Sequence, residues 1–282
     1  MNKPAISVCM TTYNREKYVG EAIESVLNSS FKDFELIIVD DRSTDRTIEI
    51  VQYWVGRDSR VKLFINDKNL GDYPNRNQAA SHASGKYLKY VDADDLIYPW
   101  GLQVLWECME RFPEAGWGLC SLDQNRVREF PFVLDTAGAY RYHYLEQGLF
   151  HKAPLSSIIK RKLFEDVGGF KPGRMVGDYE MWHRLALNSK VVLMPHGMVW
   201  YRVHDAQESN VIGEFEGVYR KISLSYLLSD GQPLSRSELE EVARIQRKKH
   251  IREAAVNLLK GNVNRALHSC RKAQASQELL RP

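Results

Sequence analysis

The sequence predicts an α/β protein: a mostly parallel sheet flanked by helices, followed by a helical C-terminal extension. Three observations carry this. Strand and helix signals alternate through the first hundred residues. The strand segments are apolar runs of strand length, and their alternation with helices implies right-handed βαβ units. From about residue 212 every periodic stretch is helical.

The elements follow in order. "ISVCMTTY" is an apolar run that reads as the first strand. "EKYVGEAIESVLNSS" places Val19, Ile23, Val26 and Leu27 at helical spacing. "FELIIVDD" is a second buried strand, and "DRTIEIVQYWV" a helix with Ile48, Val51 and Val55 on one side. "VKLFIN" is the third strand. "PNRNQAASHAS" is a helix with proline at its start and Gly85 just past its end. "YLKYVDAD" is the fourth strand. A helix runs from Trp100 to about Phe112, and "GWGLCSL" is a strand. Residues 123 to 155 are aromatic-rich and read as loops with short antiparallel strands. "DYEMWHRLAL" is a helix; "VVLMP" and "MVWYRVH" are strands. "SRSE" at Ser235 to Glu238 fits a capping box, and Gly261 divides a helical hairpin that resembles one tetratricopeptide-type unit. The division expected is a domain at 1–211 and a helical extension at 212–282.

The chain of 282 residues, 44% apolar and 27% charged, can bury a sizeable core. No apolar run is long enough to span a membrane, and the N-terminus has no h-region. The four cysteines are scattered, as in a reduced cytosolic protein. The net charge of +3 is uneven: residues 236–282 carry eleven Lys/Arg against five Asp/Glu. Such a basic tail can touch an anionic surface, or merely solvate helix faces. No nucleic-acid partner is expected.

In doubly wound sheets ligands bind outside the carboxyl ends of strands. The first strand is followed by "TTYNRE", which lacks the glycines of a dinucleotide fingerprint, and no P-loop, HExxH or GxSxG is present. The "DADD" stretch puts three carboxylates, Asp92, Asp94 and Asp95, within four residues. As an EF-hand it fails, with Ile97 where glycine is needed and Gln103 where glutamate is needed. Read as a strand end, Asp92 and Asp94 point the same way and repel unless a cation lies between them. Hard oxygen donors favour Mg²⁺ or Mn²⁺. The competing reading is a cap for the next helix. The second strand also ends in acids, "VDDRSTD", where Asp41 can meet a nucleotide and Asp45 can cap a helix. Asp178 begins the apolar face of its helix, three, four and seven residues before Met181, Trp182 and Leu185, so its carboxylate can face a cleft or serve the helix start. The aromatics Tyr98, Trp100, Trp182 and Trp200 can stack on a ligand ring or fill a core.

"ISVCMTTYNREKYVGEAIESVL", "FELIIVDDRSTDRT", "NLGDYPNRNQAASHASGKYLKYVDADD", "LFEDVGGF" and "GDYEMWHRL" together resemble the family 2 glycosyltransferases, in the family's order, across about residues 5 to 205. The resemblance implies a GT-A fold, a nucleotide-sugar donor, a divalent metal and inverting transfer. It implies that Thr11 and Tyr13 line the nucleoside pocket, that Asp41 contacts the base, and that Arg76 lies near the nucleotide. Asp92 and Asp94 match the DxD pair. Asp92 is counted with the nucleotide-binding residues, and Asp94, Asp95 and His204 as ligands of Mn²⁺ or Mg²⁺. Asp178 matches the catalytic base. The chain departs from the pattern at Gly177, where many members carry glutamate.

The function these readings imply is transfer of a sugar, by default from a UDP-linked donor, to a hydroxyl of a saccharide or lipid-linked acceptor. The setting implied is bacterial-type surface polysaccharide or glycoconjugate synthesis, in the cytoplasm or at the inner membrane face. A nucleotidylyltransferase would need a Gly-rich basic loop in place of "TTYNRE". A silent sugar-nucleotide-binding or scaffold protein would be expected to lose the metal acids or the base. For the C-terminal helices, packing on the body or a homodimer contact ranks above peripheral membrane contact, because Arg244, Arg247, Lys248, Lys249 and Arg252 spread over several helical faces.

Overall fold

The computed structural model describes residues 3–204, 213–276 and 279. The first strand, β1 (Ile6–Thr12), is buried along almost its whole length. Helix α1 (Val19–Leu27) returns across the sheet with Val19, Ala22, Ile23 and Val26 inward. Strand β2 (Phe34–Asp40) is wholly buried, and helix α2 (Thr47–Val55) follows it. Strand β3 (Val61–Ile65), helix α3 (Asp72–Ser81) and strand β4 (Tyr87–Tyr90) complete the alternating half. Next come β5 (Leu96–Ile97), α4 (Gly101–Arg111), β6 (Ala115–Leu122) and β7 (Phe132–Leu134). After α5 (Thr136–Arg141) come β8 (Ser157–Lys160), α6 (Arg161–Asp166), α7 (Gly177–Asn188), β9 (Lys190–Pro195) and β10 (Val199–Trp200). The last helices are α8 (Glu216–Leu227), α9 (Arg236–Leu259) and α10 (Val263–Ala275).

The main sheet has the order β3-β2-β1-β4-β8-β6-β9-β7. The pairs β2/β3, β1/β2, β1/β4 and β6/β9 are parallel; those involving β8 and β7 are antiparallel. This is the expected mostly parallel sheet with flanking helices. Thr12 pairs with Asp40 at the carboxyl ends of β1 and β2, and Cys9 with Tyr90 at that of β4. The loops after these strands therefore open on one edge of the sheet, where ligands of such folds bind. A small ribbon pairs β5 with β10, Ile97 opposite Val199.

Several local readings change. The inward side of α2 is Thr47 and Val51, with Ile50 and Trp54 packed on the core, while Val55 is exposed. Pro74 sits inside the first turn of α3 rather than at its start, which is Asp72. Gly85 does not end that helix. It admits β1, since a Cβ there would lie 2.6 Å from the Ser7 amide nitrogen. Strand β4 ends at Tyr90, so the three acids lie in a turn in which the Asp95 N–H donates to Asp92 O at 3.0 Å. The alternation argument for Asp92 and Asp94 fails for that reason. Between β7 and β8 the chain is largely helical: α5 continues into a π-helix at Tyr142–Gln147 that ends at left-handed Gly148. The rest of "MVWYRVH" shortens to β10 because the ribbon ends after Trp200.

The chain divides into two compact units. One holds Met1–Asp135 and Phe150–Glu216; the other holds Thr136–Leu149 and Gly217–Pro282. The second unit thus recruits a segment from the middle of the chain. Within it, Arg141 pairs with Glu238 at 3.2 Å. The Ser235 side chain accepts from the Glu238 amide, and the Glu238 carboxylate accepts from the Ser235 amide, the capping box read from the sequence. Leu239, Val242, Ala243 and Ala254 are buried, whereas Leu258 and Leu259 beside the Gly261 turn are exposed. Among the described residues no helix is long and apolar enough to cross a membrane.

Candidate functional site

The loops after β1 and β2 are laced together. The Asn14 amide donates to Ser43 Oγ at 2.9 Å, the Thr44 amide to Asn14 Oδ1 at 2.8 Å, and the Arg15 amide to Thr47 Oγ1 at 2.7 Å. Asn14 takes a left-handed φ of 51°, which asparagine tolerates better than most residues. Asp45 serves these loops: its carboxylate accepts from the Thr47 and Glu16 amides. Thr11 is half-buried beside this lacing, and Tyr13 is 45% exposed, leaving its ring accessible.

Asp41 is 3% exposed. Its Oδ1 accepts from Asn66 Nδ2 and the Leu70 amide, and its Oδ2 from the Gly71 amide, each at 2.8 Å. This carboxylate therefore holds the loop leading into α3; a nucleotide base would have to share oxygens already engaged. Asp41→Ala strands these buried donors and is expected to destabilise the fold by about 3 kcal/mol, measured by urea unfolding.

Arg76 is a buried hub. Its Nε donates to Asp72 at 2.8 Å and its Nη1 to Asp92 Oδ1 at 2.6 Å, tying α3 to the turn after β4. Asp94 turns elsewhere. Its Oδ2 meets Arg15 Nε at 3.0 Å and His204 Nε2 at 3.1 Å, and the His204 ring stacks on Tyr18 with centroids 5.0 Å apart. Asp95 is 1% exposed and accepts the Arg202 amide at 2.9 Å. Burial, and after it the charge of Asp92, holds the Asp95 carboxyl well above the usual carboxylate range. Beneath this turn the fully buried Lys89 donates to the Leu155 and Ser157 carbonyls, and burial depresses its ammonium to about 8.

Asp178 lies in the first turn of α7. The Tyr73 hydroxyl donates to its Oδ1 at 3.1 Å, and the Tyr179 amide to the same oxygen at 2.7 Å. Burial pushes the carboxyl up to about 6, against the pull of these two donors and the nearby positive charge of Arg76. Glu180 is turned away into ion pairs with Lys171 and Arg184, both at 2.7 Å.

The expected site residues thus fall into three groups: Thr11, Tyr13 and Asp41 at the ends of β1 and β2; Asp94, Asp95 and His204 around the turn after β4; and Arg76, joined to Asp92, with its charge felt at Asp178. Sequence reasoning missed Arg15, Tyr18, Tyr73 and Arg202. Arg15 in "YNRE" and Arg202 in "YRVH" were visible only as charges near motifs. Trp182 is buried and stacks on Trp117 at 5.6 Å, so it belongs to the core. Trp100 is half exposed and lies parallel to Tyr98, and Trp200 is 40% exposed with Arg202 over its ring.

Whether a divalent ion fits can be asked of the donors. Among the described residues no group of three His, Cys, Asp or Glu side chains is arranged as a closed metal site. Asp94 and His204, 3.1 Å apart, can supply one oxygen and one nitrogen. The Asp94 oxygen fits Mg²⁺ or Mn²⁺ that takes its remaining ligands from phosphate and water, while the imidazole nitrogen is a softer donor than Mg²⁺ prefers.

Residues 7–168 match the family profile "Glycosyl transferase family 2". An uncharacterized glycosyltransferase of Haemophilus influenzae is 36% identical over 152 residues, which are 52% of this chain and 59% of that protein. An uncharacterized glycosyltransferase of Methanocaldococcus jannaschii is 32% identical over 213 residues, 72% of either chain. A putative teichuronic acid biosynthesis glycosyltransferase of Bacillus subtilis is 39% identical over 93 residues, 33% of this chain and 37% of its own length. The chain spans somewhat more than half of the Haemophilus relative. Among solved structures, Staphylococcus aureus TarS 1–349 in complex with UDP-GlcNAc superposes with a TM-score of 0.68 at 17% identity, covering 96% of this chain and 91% of that one. A Pyrobaculum calidifontis mannosyltransferase in complex with GDP-Man and Mn²⁺ gives a TM-score of 0.59 at 18% identity, covering 99% and 88%. These likenesses identify the fold as GT-A.

Proposed function

The chain belongs to glycosyl transferase family 2, and from that premise we propose that it transfers a sugar, with inversion, from a nucleoside-diphosphate sugar to an acceptor hydroxyl. The observation that carries this is Asp178: a carboxylate raised by burial to about 6, held by two donors on Oδ1, and within the electrostatic reach of the same arginine that holds Asp92. A base poised near the working pH is what proton removal from a hydroxyl needs. Asp178 takes the acceptor's proton as that oxygen forms a bond to the anomeric carbon. The bond from that carbon to the diphosphate breaks on the opposite face, and the nucleoside diphosphate leaves with the electron pair.

Thr11 and Tyr13 line the nucleoside pocket in this reading, and Asp41 shapes it through the loop it anchors. Arg76 and Asp92 lie toward the nucleotide. Asp94 and His204, with Asp95 behind them, would hold Mn²⁺ or Mg²⁺, which supplies neutralisation of charge on the departing diphosphate. Arg15 keeps the Asp94 carboxylate in place. UDP is the default carrier, in keeping with the UDP-GlcNAc bound by TarS; GDP is the carrier in the mannosyltransferase complex. The exposed faces of Trp100 and Trp200 suit a saccharide acceptor. Surface polysaccharide or glycoconjugate synthesis at the cytoplasmic side is the setting, supported by the teichuronic acid relative. A lipid-linked acceptor would bring the chain to the inner membrane face. The exposed Leu258 and Leu259 suit a homodimer contact better than a flat anionic surface.

The test is slow hydrolysis of a panel of nucleotide sugars in Mn²⁺, followed across pH. The expected rate is flat at neutral pH and falls tenfold per unit on the acid side of about 6, because protonated Asp178 cannot accept a proton. An acid limb near 4, the ordinary carboxylate range, would send the search for a base elsewhere.

A further inference from the structure

We propose that Tyr73 is the positioning residue of Asp178, that Gly177 is glycine in order to admit the Tyr73 ring, and that Oδ2 is the Asp178 oxygen that accepts the acceptor's proton. The proposal rests on the reading of Asp178 as base.

Gly177 is the first residue of α7, a position that does not itself favour glycine. Gly177 is not among the residues of left-handed φ, so the backbone does not require glycine there. Space does. A Cβ on Gly177 would lie 2.7 Å from Cγ, Cδ2 and Cε2 of Tyr73, one whole edge of the ring. The ring cannot swing aside freely: it is 5% exposed and packs on Phe170 with centroids 5.4 Å apart. Side chain 177 and the ring of residue 73 therefore exclude each other. Where the family pattern places glutamate beside the base, this chain places a tyrosine from α3.

The ring delivers its hydroxyl to Asp178 Oδ1 at 3.1 Å. Burial, and then the charge of Asp178, raises the phenol far above its ordinary range, so it keeps its proton and donates. The Tyr179 amide donates to the same oxygen. Two bonds on Oδ1 fix the carboxylate plane and leave Oδ2 with no hydrogen-bond partner among the described residues. The charged groups around this carboxylate are Asp72 and Arg76 of α3, with Glu180 on its own helix held in ion pairs. None of them replaces the Tyr73 hydroxyl.

The hydroxyl stabilises the carboxylate, so its loss raises the Asp178 pKa. In Tyr73→Phe the ring stays, the fold is kept, and only the bond is lost. The Asp178 carboxyl carbon, assigned in a ¹³C NMR titration by its absence in Asp178→Asn, is expected to titrate higher in Tyr73→Phe by on the order of one pH unit. The acid limb of the hydrolysis profile moves with it, while nucleoside diphosphate affinity stays unchanged. Gly177→Ala, checked for folding by circular dichroism, displaces the ring and shifts the limb the same way with a larger loss of kcat. A carboxyl that titrates at the same pH in wild type and Tyr73→Phe overturns the proposal. A carboxyl that shifts while the acid limb does not upholds the Tyr73 contact and retires the base reading on which its catalytic meaning depends.

Discussion

Asp178→Asn is expected to lower sugar transfer by a factor of about 10² or more at pH 7.5 while leaving donor binding nearly unchanged. The substitution keeps the shape and removes the proton acceptor. Both backbone and phenol donors still find an oxygen, because the Tyr179 amide and the Tyr73 hydroxyl can donate to the amide carbonyl. The fold should hold or gain slightly, since a buried carboxylate is exchanged for a neutral group. The loss belongs in kcat rather than in donor affinity, as expected for a group used only as the acceptor oxygen attacks. Steady-state rates on a nucleotide sugar, paired with calorimetric titration of the nucleoside diphosphate, separate the two quantities. Near-normal turnover in this variant would contradict the assignment.

Asp94→Asn is expected to weaken metal-dependent nucleoside diphosphate binding by at least about 10²-fold. Asp94 gathers both Arg15 and His204 on one oxygen, so its charge sets the arrangement on that side of the turn. Asparagine retains a carbonyl oxygen but not the negative charge that a divalent ion requires. Arg15 is left facing a neutral group, and because that pair is partly solvent-exposed, the change in stability should remain within about 1 kcal/mol. Calorimetry with and without Mn²⁺ reads the effect. Equal metal-dependent affinity in variant and wild type would show that the ion, if one is used, is held elsewhere.

Much of the architecture was legible because its signals are local. The apolar run Leu36–Val39 of β2, bounded by turn signals, reads as a buried strand, and the spacing of Val19, Ile23 and Val26 in α1 follows from helical periodicity. The capping box at Ser235 was readable because its two residues lie three apart. The failures have an equally physical origin. The "DADD" stretch reads as strand because β4 runs straight into it, and an acid-rich turn and a strand end look alike without the partner strand. The stretch 136–147 has no clear period, since a one-and-a-half-turn α-helix, α5, runs into a π-helix at Tyr142–Gln147 that does not repeat at 3.6 residues. The loop-anchoring role of Asp41, which stands beside its expected nucleotide contact, is not readable in the sequence, because its donors lie 25 to 30 residues downstream. Gly177 read as a missing acid; only the ring of Tyr73, 105 residues away from Asp178, explains it.

The stereochemistry of the transferred sugar tests Asp178 as the base of a direct displacement. With water as acceptor, proton NMR of the first turnovers of a nucleotide sugar in Mn²⁺ identifies the anomer released before it equilibrates. A carboxylate base that delivers oxygen opposite the departing diphosphate predicts the inverted anomer, and its formation should disappear in Asp178→Asn. Release of the anomer with the donor's own configuration, or inverted release that persists undiminished in Asp178→Asn, would contradict it.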